Sequence, residues 1–323
     1  MLYRLVVACV FVLLSITVGI VVTVYTLTKP VPARTVNTTF NQSEIRFVAL
    51  GDFGTGNLRQ WQVAWALNDV ARTDGLDFIA TVGDNFYSYG VRHHEDLQWQ
   101  YKFENVYSGE ALENVPFFAT LGNHDYDGNE MAQLVYSERE LGSGRWKMPA
   151  KDYVRHFGEV AGKPLLRVVF LDSSPSARRY EYTALELDKL LRESEPAIWT
   201  AVVTHTPIRS ARDFYSTEQV RNALLPVLNY HDVHAYFAGH DHNLQVLSHA
   251  SEPLYIISGA GGKHGQRYNA EYGSQLKFAA SSLGFAHVTV NQGTFTVKLM
   301  NDKAETLYAA KLNSELEVAS IFY

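Results

Sequence analysis

Short apolar runs alternate with amphipathic stretches along most of the chain. The runs are IRFVAL, DFIATV, PFFATL, LRVVFL, IWTAVVT and HAYFAG, which begin at residues 45, 77, 116, 166, 198 and 234. Between them, apolar residues recur three or four positions apart, as in Val63/Leu67/Val70, Trp99/Phe103/Val106 and Leu187/Leu190/Leu191. That spacing is typical of one face of a helix. Buried strands alternating with helices predict βαβ units and a largely parallel sheet.

The last part of the chain has a different pattern. The segments PLYIISGAG, FAHVTVNQG, TFTVKLM and ETLYAAKL lie close together with turn residues between them, which predicts an antiparallel meander. Before them, Ser216 with Gln219 three residues later forms a capping-box pattern and predicts a helix start. We therefore expect a single mixed α/β domain over residues 45–323, with two sheets packed face to face and helices outside.

The N-terminal segment is long enough to cross a membrane. Leu5 to Leu27 contains no charged residue over 23 positions. A helix of that length spans roughly 35 Å, against about 30 Å for the hydrocarbon core. Because the apolar region of a cleaved signal peptide is usually only about 7–15 residues long, residues 1–28 are predicted to be a signal anchor. Ala33, with Val31 before it, keeps cleavage of a signal peptide open as the alternative.

Residues 29–44 form a stalk rich in Thr, Pro and Asn, with glycosylation acceptor motifs at Asn37 and Asn41. With either fate of the N-terminal segment, the catalytic domain is predicted to lie outside the cytosol. It would be membrane-anchored with the domain outside or luminal, or secreted after cleavage. The motifs would make the protein a glycoprotein in a host that glycosylates.

Composition excludes some classes of function. The formal net charge is −6, so no basic surface for nucleic acid is expected. Cys9 is the only cysteine, so the chain forms no intrachain disulfide. We expect a monomeric catalytic domain whose partner is a small substrate.

Polar residues follow five of the predicted strands where each strand ends. The blocks are GDFG with Asp52, GDNFY with Asp84 and Tyr87, GNHD with Asn123, His124 and Asp125, VVTHTP with His205, and GHDH with His240 and His242. In open α/β sheets, ligands bind outside the carboxyl ends of the strands, so these side chains are expected to converge on one crevice.

The residue types in these blocks suit metal ions. Carboxylates and imidazoles bind Zn, Fe or Mn, and a neutral Asn oxygen can complete a ligand set. Two ions about 3.5–4 Å apart need a bridging carboxylate. His240 and His242 are two residues apart, which on a loop lets them reach two different ions. The pattern therefore favours a two-metal site.

The ordered motifs GDFG, GDNFY, GNHD, VVTHTP and GHDHNLQ resemble those of the calcineurin-like metallophosphoesterases. Within them, the chain is similar to the purple, tartrate-resistant acid phosphatases of the small mammalian type, over about residues 45 to 312. The similarity extends to AQLVYSE, RWKMPAKDYVRHF, ISGAGG and SLGFAHVTV. It implies a four-layer α/β/β/α sandwich of two mixed sheets flanked by helices.

The resemblance implies two metal sites. It assigns Fe(III) to Asp52, Tyr87, His242 and bridging Asp84, and a divalent ion (Fe, Zn or Mn) to Asp84, Asn123, His205 and His240. His124 matches the family's catalytic histidine, and Asp125 is expected to orient it. The expected activity is that of an acid phosphatase, in which metal-bound hydroxide attacks the phosphorus of a monoester in line.

The chain departs from the family at three places. The second catalytic histidine of the mammalian enzymes, nine residues after the histidine of the divalent site, is Phe214 here, and Arg209, Arg212 and Asp213 are left as candidate substitutes. The regulatory loop is reduced to residues 173–184, so activation by proteolysis of that loop is not expected. The family disulfide is absent as well.

Two other functions fit the same residues. One is a metal-dependent phosphodiesterase or nucleotide pyrophosphatase that uses the same metals. The other is a membrane-anchored metal-binding module with degenerate catalysis, against which the presence of every implied ligand and of His124 argues.

Overall fold

The structure is a computed structural model that describes residues 42–174, 179–212, 214–265, 267–269, 273, 275–313 and 318–321. The predicted membrane segment, most of the stalk, Asn37 and Asn41 lie outside these residues. Within the described part of the chain, no helix combines the length and the apolar character that a membrane crossing requires.

Strands and helices alternate through the first two thirds of the domain, and strands dominate the rest. The helices are α1 Leu58–Thr73, α2 Asn123–Tyr126, α3 Met131–Glu138, α4 Tyr180–Glu193 and α5 Phe214–Tyr230. The strands are β1 Glu44–Leu50, β2 Phe78–Val82, β3 Phe117–Thr120, β4 Trp146–Lys147, β5 Tyr153–Val160, β6 Lys163–Phe170, β7 Trp199–Val203, β8 Ala235–Ala238, β9 Leu244–Leu247, β10 Leu254–Ser258, β11 Leu276–Ala280, β12 Gly284–Asn291, β13 Thr294–Asn301, β14 Thr306–Asn313 and β15 Val318–Ile321.

These strands form two mixed sheets. The first has the order β15-β14-β13-β12-β1-β2-β3-β4, and the second has the order β11-β9-β10-β8-β7-β6-β5. In the first sheet, β1 to β4 are parallel, and β12 joins them antiparallel to β1. In the second, β6, β7, β8 and β10 are parallel. The prediction of a mixed α/β fold with two sheets is confirmed.

Aromatic side chains join the two sheets face to face. The ring of Phe78 on β2 stacks on Phe157 of β5 at 3.9 Å between centroids. Phe47 on β1 meets Phe237 of β8 at 5.7 Å. The opposite face of the second sheet is covered by α4 and α5, which bury Leu187 and Leu224. This packing brings strand ends of both sheets to a common crevice.

Three local predictions differ from the structure. Around Trp99, the chain is helical as the spacing predicts, but only over residues 98–104, and Gln100–Glu104 form a π-helix in place of an α-helix. Ser216 lies inside α5, which already begins at Phe214. The strand at Leu254–Ser258 belongs to the second sheet beside β8 and is not part of the meander β12–β15.

Candidate metal centre

The polar strand ends converge on a crevice between the two sheets. Asp52, Asp84 and Asn123 follow β1, β2 and β3 of the first sheet, whereas His205 and His240 follow β7 and β8 of the second. The strand ends meet in one crevice, as expected, and they come from the facing edges of both sheets. Hydrogen bonds cross between them: the backbone N–H of His240 donates to Asp52 Oδ2 at 2.9 Å, and His205 Nδ1 lies 2.9 Å from the carbonyl oxygen of Val82.

The backbone at this crevice is unusual. Asp52, Asp84 and His240 have positive φ angles of 56°, 52° and 68°. Few residues other than glycine adopt this region, and such conformations concentrate at functional sites. Beside them, Gly239 brings the sheets together, since a Cβ there would lie 2.5 Å from Asp52 Oδ2. The glycine before the GHDH histidines is therefore required by this close approach.

One group of donor atoms surrounds the Tyr87 hydroxyl. This oxygen lies 2.8 Å from Asp52 Oδ1, 2.7 Å from Asp84 Oδ2 and 3.2 Å from His242 Nε2. A phenol has one hydrogen and cannot donate to both carboxylates at once. One ligand atom from each of Asp52, Asp84 and His242 also lies within 4.8 Å of the other two. Two buried carboxylates and a phenol in contact are a setting that a cation would stabilise.

A second group of donor atoms surrounds the side chain of Asn123. Its Oδ1 lies 3.1 Å from His205 Nε2 and 3.0 Å from His240 Nδ1. His205 Nε2 is also 3.5 Å from Asp84 Oδ1. Because the carbonyl of Val82 can only accept, His205 keeps a hydrogen on Nδ1, and Nε2 is the nitrogen that would bind a metal after losing its own hydrogen.

Burial and charge shift the protonation of these groups. Burial, followed by the charges of Asp52 and Asp84, raises the pKa of the Tyr87 phenol far above its usual value. Burial also raises the pKa of Asp84, but the charge of His205 and the Tyr87 hydrogen bond outweigh it, so that the net pKa is lowered. Burial lowers the pKa of His205, whereas the carboxylates of Asp84 and Asp52 raise it by more. The carboxylate of Asp84 thus contributes to the pKa shifts of both Tyr87 and His205.

The donor set fits two cations. Asp84 directs Oδ2 toward the Tyr87 group and Oδ1 toward the Asn123 group, which places its carboxylate where it can bridge two ions. Each group offers four oxygen or imidazole donors, the ligand types that Fe, Zn and Mn accept. The structure brings together all seven residues predicted from the strand ends.

His124 lies beside this donor set. Its backbone N–H donates to Asp84 Oδ1 at 2.9 Å, and its ring lies 4.6 Å from that of Tyr87 between centroids. Nδ1 is 2.7 Å from the carbonyl oxygen of Ser88 and 3.4 Å from Asp127 Oδ2. Since both partners are acceptors, the hydrogen is held on Nδ1, and Nε2 is the nitrogen that can exchange a proton.

Asp125 has different partners from those expected. We expected it to orient His124, but its carboxylate accepts from the backbone N–H of Asn85 at 3.1 Å, of Phe86 at 3.2 Å and of Gly122 at 2.8 Å. As the third residue of α2, it turns back to cap the amide of Gly122. Burial and then the charge of Asp84 raise the pKa of Asp125 to about 7, against the amide hydrogen bonds. Asp125 thus holds the turn that carries Asp84 and Tyr87.

Comparison with known proteins identifies the family. Residues 45–244 match the family model of the calcineurin-like phosphoesterases. The chain belongs to this family. It is 32% identical over 300 residues to tartrate-resistant acid phosphatase type 5 of Sus scrofa, covering 83% of this chain and 86% of that protein. It is 30% identical over 298 residues to purple acid phosphatase 4 of Arabidopsis thaliana, covering 86% of each.

A solved structure is also similar over most of the chain. GAP50, described as the anchor in the inner membrane complex of Plasmodium, superimposes with a TM-score of 0.75 at 28% identity, covering 84% of this chain and 89% of that one. The resemblance to the purple acid phosphatases is confirmed, and as a member of this family the chain is an enzyme that hydrolyses phosphate esters.

Two of the three candidate substitutes for the second catalytic histidine are paired with carboxylates in this phosphoesterase. Arg209 forms a double hydrogen bond with Glu252, at 3.0 Å and 2.6 Å. Arg212 pairs with Asp241 at 3.0 Å. Asp213 and the side chain of Phe214 lie outside the described residues, although Phe214 begins α5. A guanidinium paired with a carboxylate is a poor proton donor, so the structure gives neither arginine that role.

Sequence reasoning missed one residue at the centre of this phosphoesterase. Lys263 places its Nζ 3.6 Å from the centroid of the Tyr87 ring. Its backbone N–H donates to the carbonyl of Asp52 at 3.2 Å, which holds the segment after β10 against the site. The sequence GAGGKHG follows a strand, but nothing in that pattern distinguishes this lysine from a surface lysine.

Proposed function

We propose that the chain is an acid phosphatase that hydrolyses phosphate monoesters with a dinuclear centre of Fe(III) and a divalent ion, Fe, Zn or Mn. The observation that carries this proposal is the position of Asp84, whose two oxygens face two separate groups of donors. The names of the relatives, tartrate-resistant and purple acid phosphatase, support the same activity.

The two groups of donors suit different ions. The first contains two carboxylates and a phenol, and hard anionic oxygens favour a trivalent ion. The second contains one shared carboxylate, a neutral amide and two imidazoles, which suits a divalent ion. We assign Fe(III) to Asp52, Asp84, Tyr87 and His242, and the divalent ion to Asp84, Asn123, His205 and His240.

Two bound cations would supply Lewis acidity, offsetting the negative charge of the phosphate and lowering the pKa of water. The protein's own residues position the substrate and supply a proton. His124 holds a hydrogen on Nδ1 through the Ser88 carbonyl, so Nε2 carries the proton that the departing alkoxide needs. Asp127, 3.4 Å from Nδ1, stabilises the charged imidazolium before the transfer.

Relative rates on two substrates test this function. The purified chain should hydrolyse 4-nitrophenyl phosphate faster than bis(4-nitrophenyl) phosphate, with highest activity on the acidic side between pH 4 and pH 8. Faster hydrolysis of the diester would instead support a phosphodiesterase or nucleotide pyrophosphatase. Two bound metals without activity on either substrate would support a metal-binding module without catalysis.

Anchoring is a second candidate function, favoured by the likeness to GAP50, the anchor in the inner membrane complex of Plasmodium. It requires residues 1–28 to remain attached and to hold the domain at a membrane, with the domain luminal or outside. A decrease in apparent mass on treatment with a glycosidase would show that Asn37 or Asn41 is glycosylated, which happens only on the luminal side of the membrane. A protein that is extracted from membranes at high salt without detergent would contradict anchoring by a membrane-spanning segment.

A further inference from the structure

A pocket opens beside the proposed ferric site. Its volume is about 360 Å³, and its lining includes Tyr87, His242, Arg59, Lys263 and His264. Tyr87 and His242 belong to the donor set described above, so the pocket is continuous with the proposed reaction centre. The other three side chains are basic and come from two separate segments of the chain.

Two of these basic side chains are not neutralised. Arg59 is exposed in the first turn of α1, and Lys263 is half-buried against the ring of Tyr87. Neither forms an ion pair with any residue that the structure describes. By contrast, Arg209 and Arg212 are both paired with carboxylates. Among the residues that the structure describes, the pocket therefore concentrates positive charge that forms no ion pair.

The location of these charges limits what they could bind. The scissile phosphate would be held at the metal pair, whose donors lie on the Tyr87 and Asn123 sides of Asp84. Arg59 and Lys263 line the pocket beyond Tyr87, where they would face another part of the same substrate. A guanidinium binds phosphate or carboxylate through two parallel hydrogen bonds, and an ammonium adds a mobile point charge.

We propose that this pocket binds a second anionic group of the substrate, so that the enzyme prefers small phosphate monoesters carrying another phosphate or a carboxylate. This proposal rests on the phosphatase function proposed above. It assigns Arg59 and Lys263 as specificity-determining residues, with the gain expected in KM because the second anion is bound equally before and during reaction.

A matched set of substrates tests the preference. The wild type should have a kcat/KM for propane-1,3-diyl bisphosphate at least about tenfold above that for propyl phosphate, and 3-phosphonooxypropanoate will show whether a carboxylate serves as well. In Arg59→Gln/Lys263→Gln, the ratio should fall to about one. In Arg59→Gln alone, which leaves Lys263 in place against Tyr87, the ratio of the two kcat/KM values should fall about threefold. Equal kcat/KM for all three esters in the wild type would overturn the proposal.

The control variant is Arg72→Gln/Lys303→Gln. It removes the same net charge from the last turn of α1 and from the exposed turn after β13. It should keep the tenfold ratio, since only charges lining the pocket are involved. If the kcat/KM ratio fell as far as in the Arg59/Lys263 variant, the proposal would be overturned, because the preference would then come from the net charge of the whole protein.

Calorimetric binding of analogues that cannot be hydrolysed separates this proposal from the phosphatase function. Metal-loaded protein should bind propane-1,3-bisphosphonate more tightly than propylphosphonate, and Arg59→Gln/Lys263→Gln should remove the difference. Preferential binding without turnover of any ester would refute the phosphatase function and support the anion pocket. Turnover of propyl phosphate together with equal binding of the two phosphonates would support the phosphatase function and refute the anion pocket.

Discussion

The Tyr87 hydroxyl lies 2.8 Å and 2.7 Å from two carboxylate oxygens, yet it has one hydrogen and can donate to only one of them at a time. Burial and those charges raise the pKa of the phenol, so the phenolate would need a strong positive charge nearby to form. A trivalent ion supplies that charge and lowers the pKa of its ligands. Tyr87 is thus the side chain that distinguishes the two proposed metal sites.

At His124, the fixed hydrogen on Nδ1 leads to a test of proton transfer. His124→Ala should lower kcat on an alkyl phosphate by about 10²-fold or more, because an alkoxide leaves only with a proton. On 4-nitrophenyl phosphate, whose leaving group needs no proton, the loss should be much smaller. His94→Ala, which removes a surface contact with Arg139, serves as the control. Equal losses on both substrates would contradict the donor role.

Asp125 is predicted to affect stability and metal retention. Asp125→Asn removes an acceptor from the buried amides of Asn85, Phe86 and Gly122 and places an amide N–H against them. Unfolding in urea should show a loss of about 2–3 kcal/mol. Asp127→Asn, at a half-exposed carboxylate, should change stability by less than about 0.5 kcal/mol.

If Asp125→Asn unfolded like the wild type, the buried carboxylate would not be holding this turn. The same variants should be compared for bound metal after dialysis. Asp125→Asn is expected to retain less metal than Asp127→Asn, since Asp125 supports the turn that carries both Asp84 and Tyr87.

At the scale of elements, the two facing sheet edges determine the site. Asp52 follows β1 and His240 follows β8, and these strands belong to different sheets. Their contact, 2.9 Å from the His240 N–H to Asp52 Oδ2, depends on the packing of Phe47 against Phe237 below it. The site therefore forms only when the sandwich is assembled.

Gly239→Ala tests the approach of these edges. The added Cβ would lie 2.5 Å from Asp52 Oδ2 and 2.8 Å from the Val82 carbonyl, both closer than real contacts allow. The variant should fold with a loss of about 1–3 kcal/mol and bind less metal, measured by elemental analysis. Gly293→Ala, where a Cβ would meet nothing within 4 Å, is the control. Full metal content in Gly239→Ala would contradict the account.

Sequence patterns predicted which segments form strands better than they predicted which sheet each strand joins. The run at residue 77 is almost entirely apolar because the strand it predicts, β2, is buried along its whole length. The apolar run of β10 could not reveal which sheet the strand joins, since that depends on its pairing with β8 in the folded protein. The ligands were predictable because each follows a strand, whereas Lys263 reaches the site only through the folded path after β10.

Buried histidines predict how the whole molecule responds to acid. Burial lowers the pKa of His287 and of His234 to about 4, below the ordinary value of 6.5. Among the described residues, neither ring nitrogen of His287 has a hydrogen-bond partner. Between about pH 4 and pH 6.5, both rings stay neutral in the folded protein but become protonated when it unfolds. Their contribution to stability is therefore complete above pH 6.5 and is lost as the pH falls toward 4.

His287→Leu should reduce this acid sensitivity. From the shift of its pKa to about 4, His287 alone accounts for about 2 kcal/mol of the stability lost between pH 7.5 and pH 5. Between pH 7.5 and pH 5, the free energy of unfolding of the variant should therefore fall by about 2 kcal/mol less than that of the wild type. His93→Leu, at an exposed histidine, should behave like the wild type. An unchanged pH dependence in His287→Leu would show that its ring is not buried in neutral form.

The dinuclear iron centre is tested most directly by metal analysis combined with the visible spectrum of the purified protein. We predict one iron and one further metal ion per chain, with a phenolate-to-iron absorption band that is lost in Tyr87→Phe. Tyr89→Phe, at a phenol that is 74% exposed two residues away, should keep the band. A colourless protein with two zinc ions, or an unchanged band in Tyr87→Phe, would contradict the assignment.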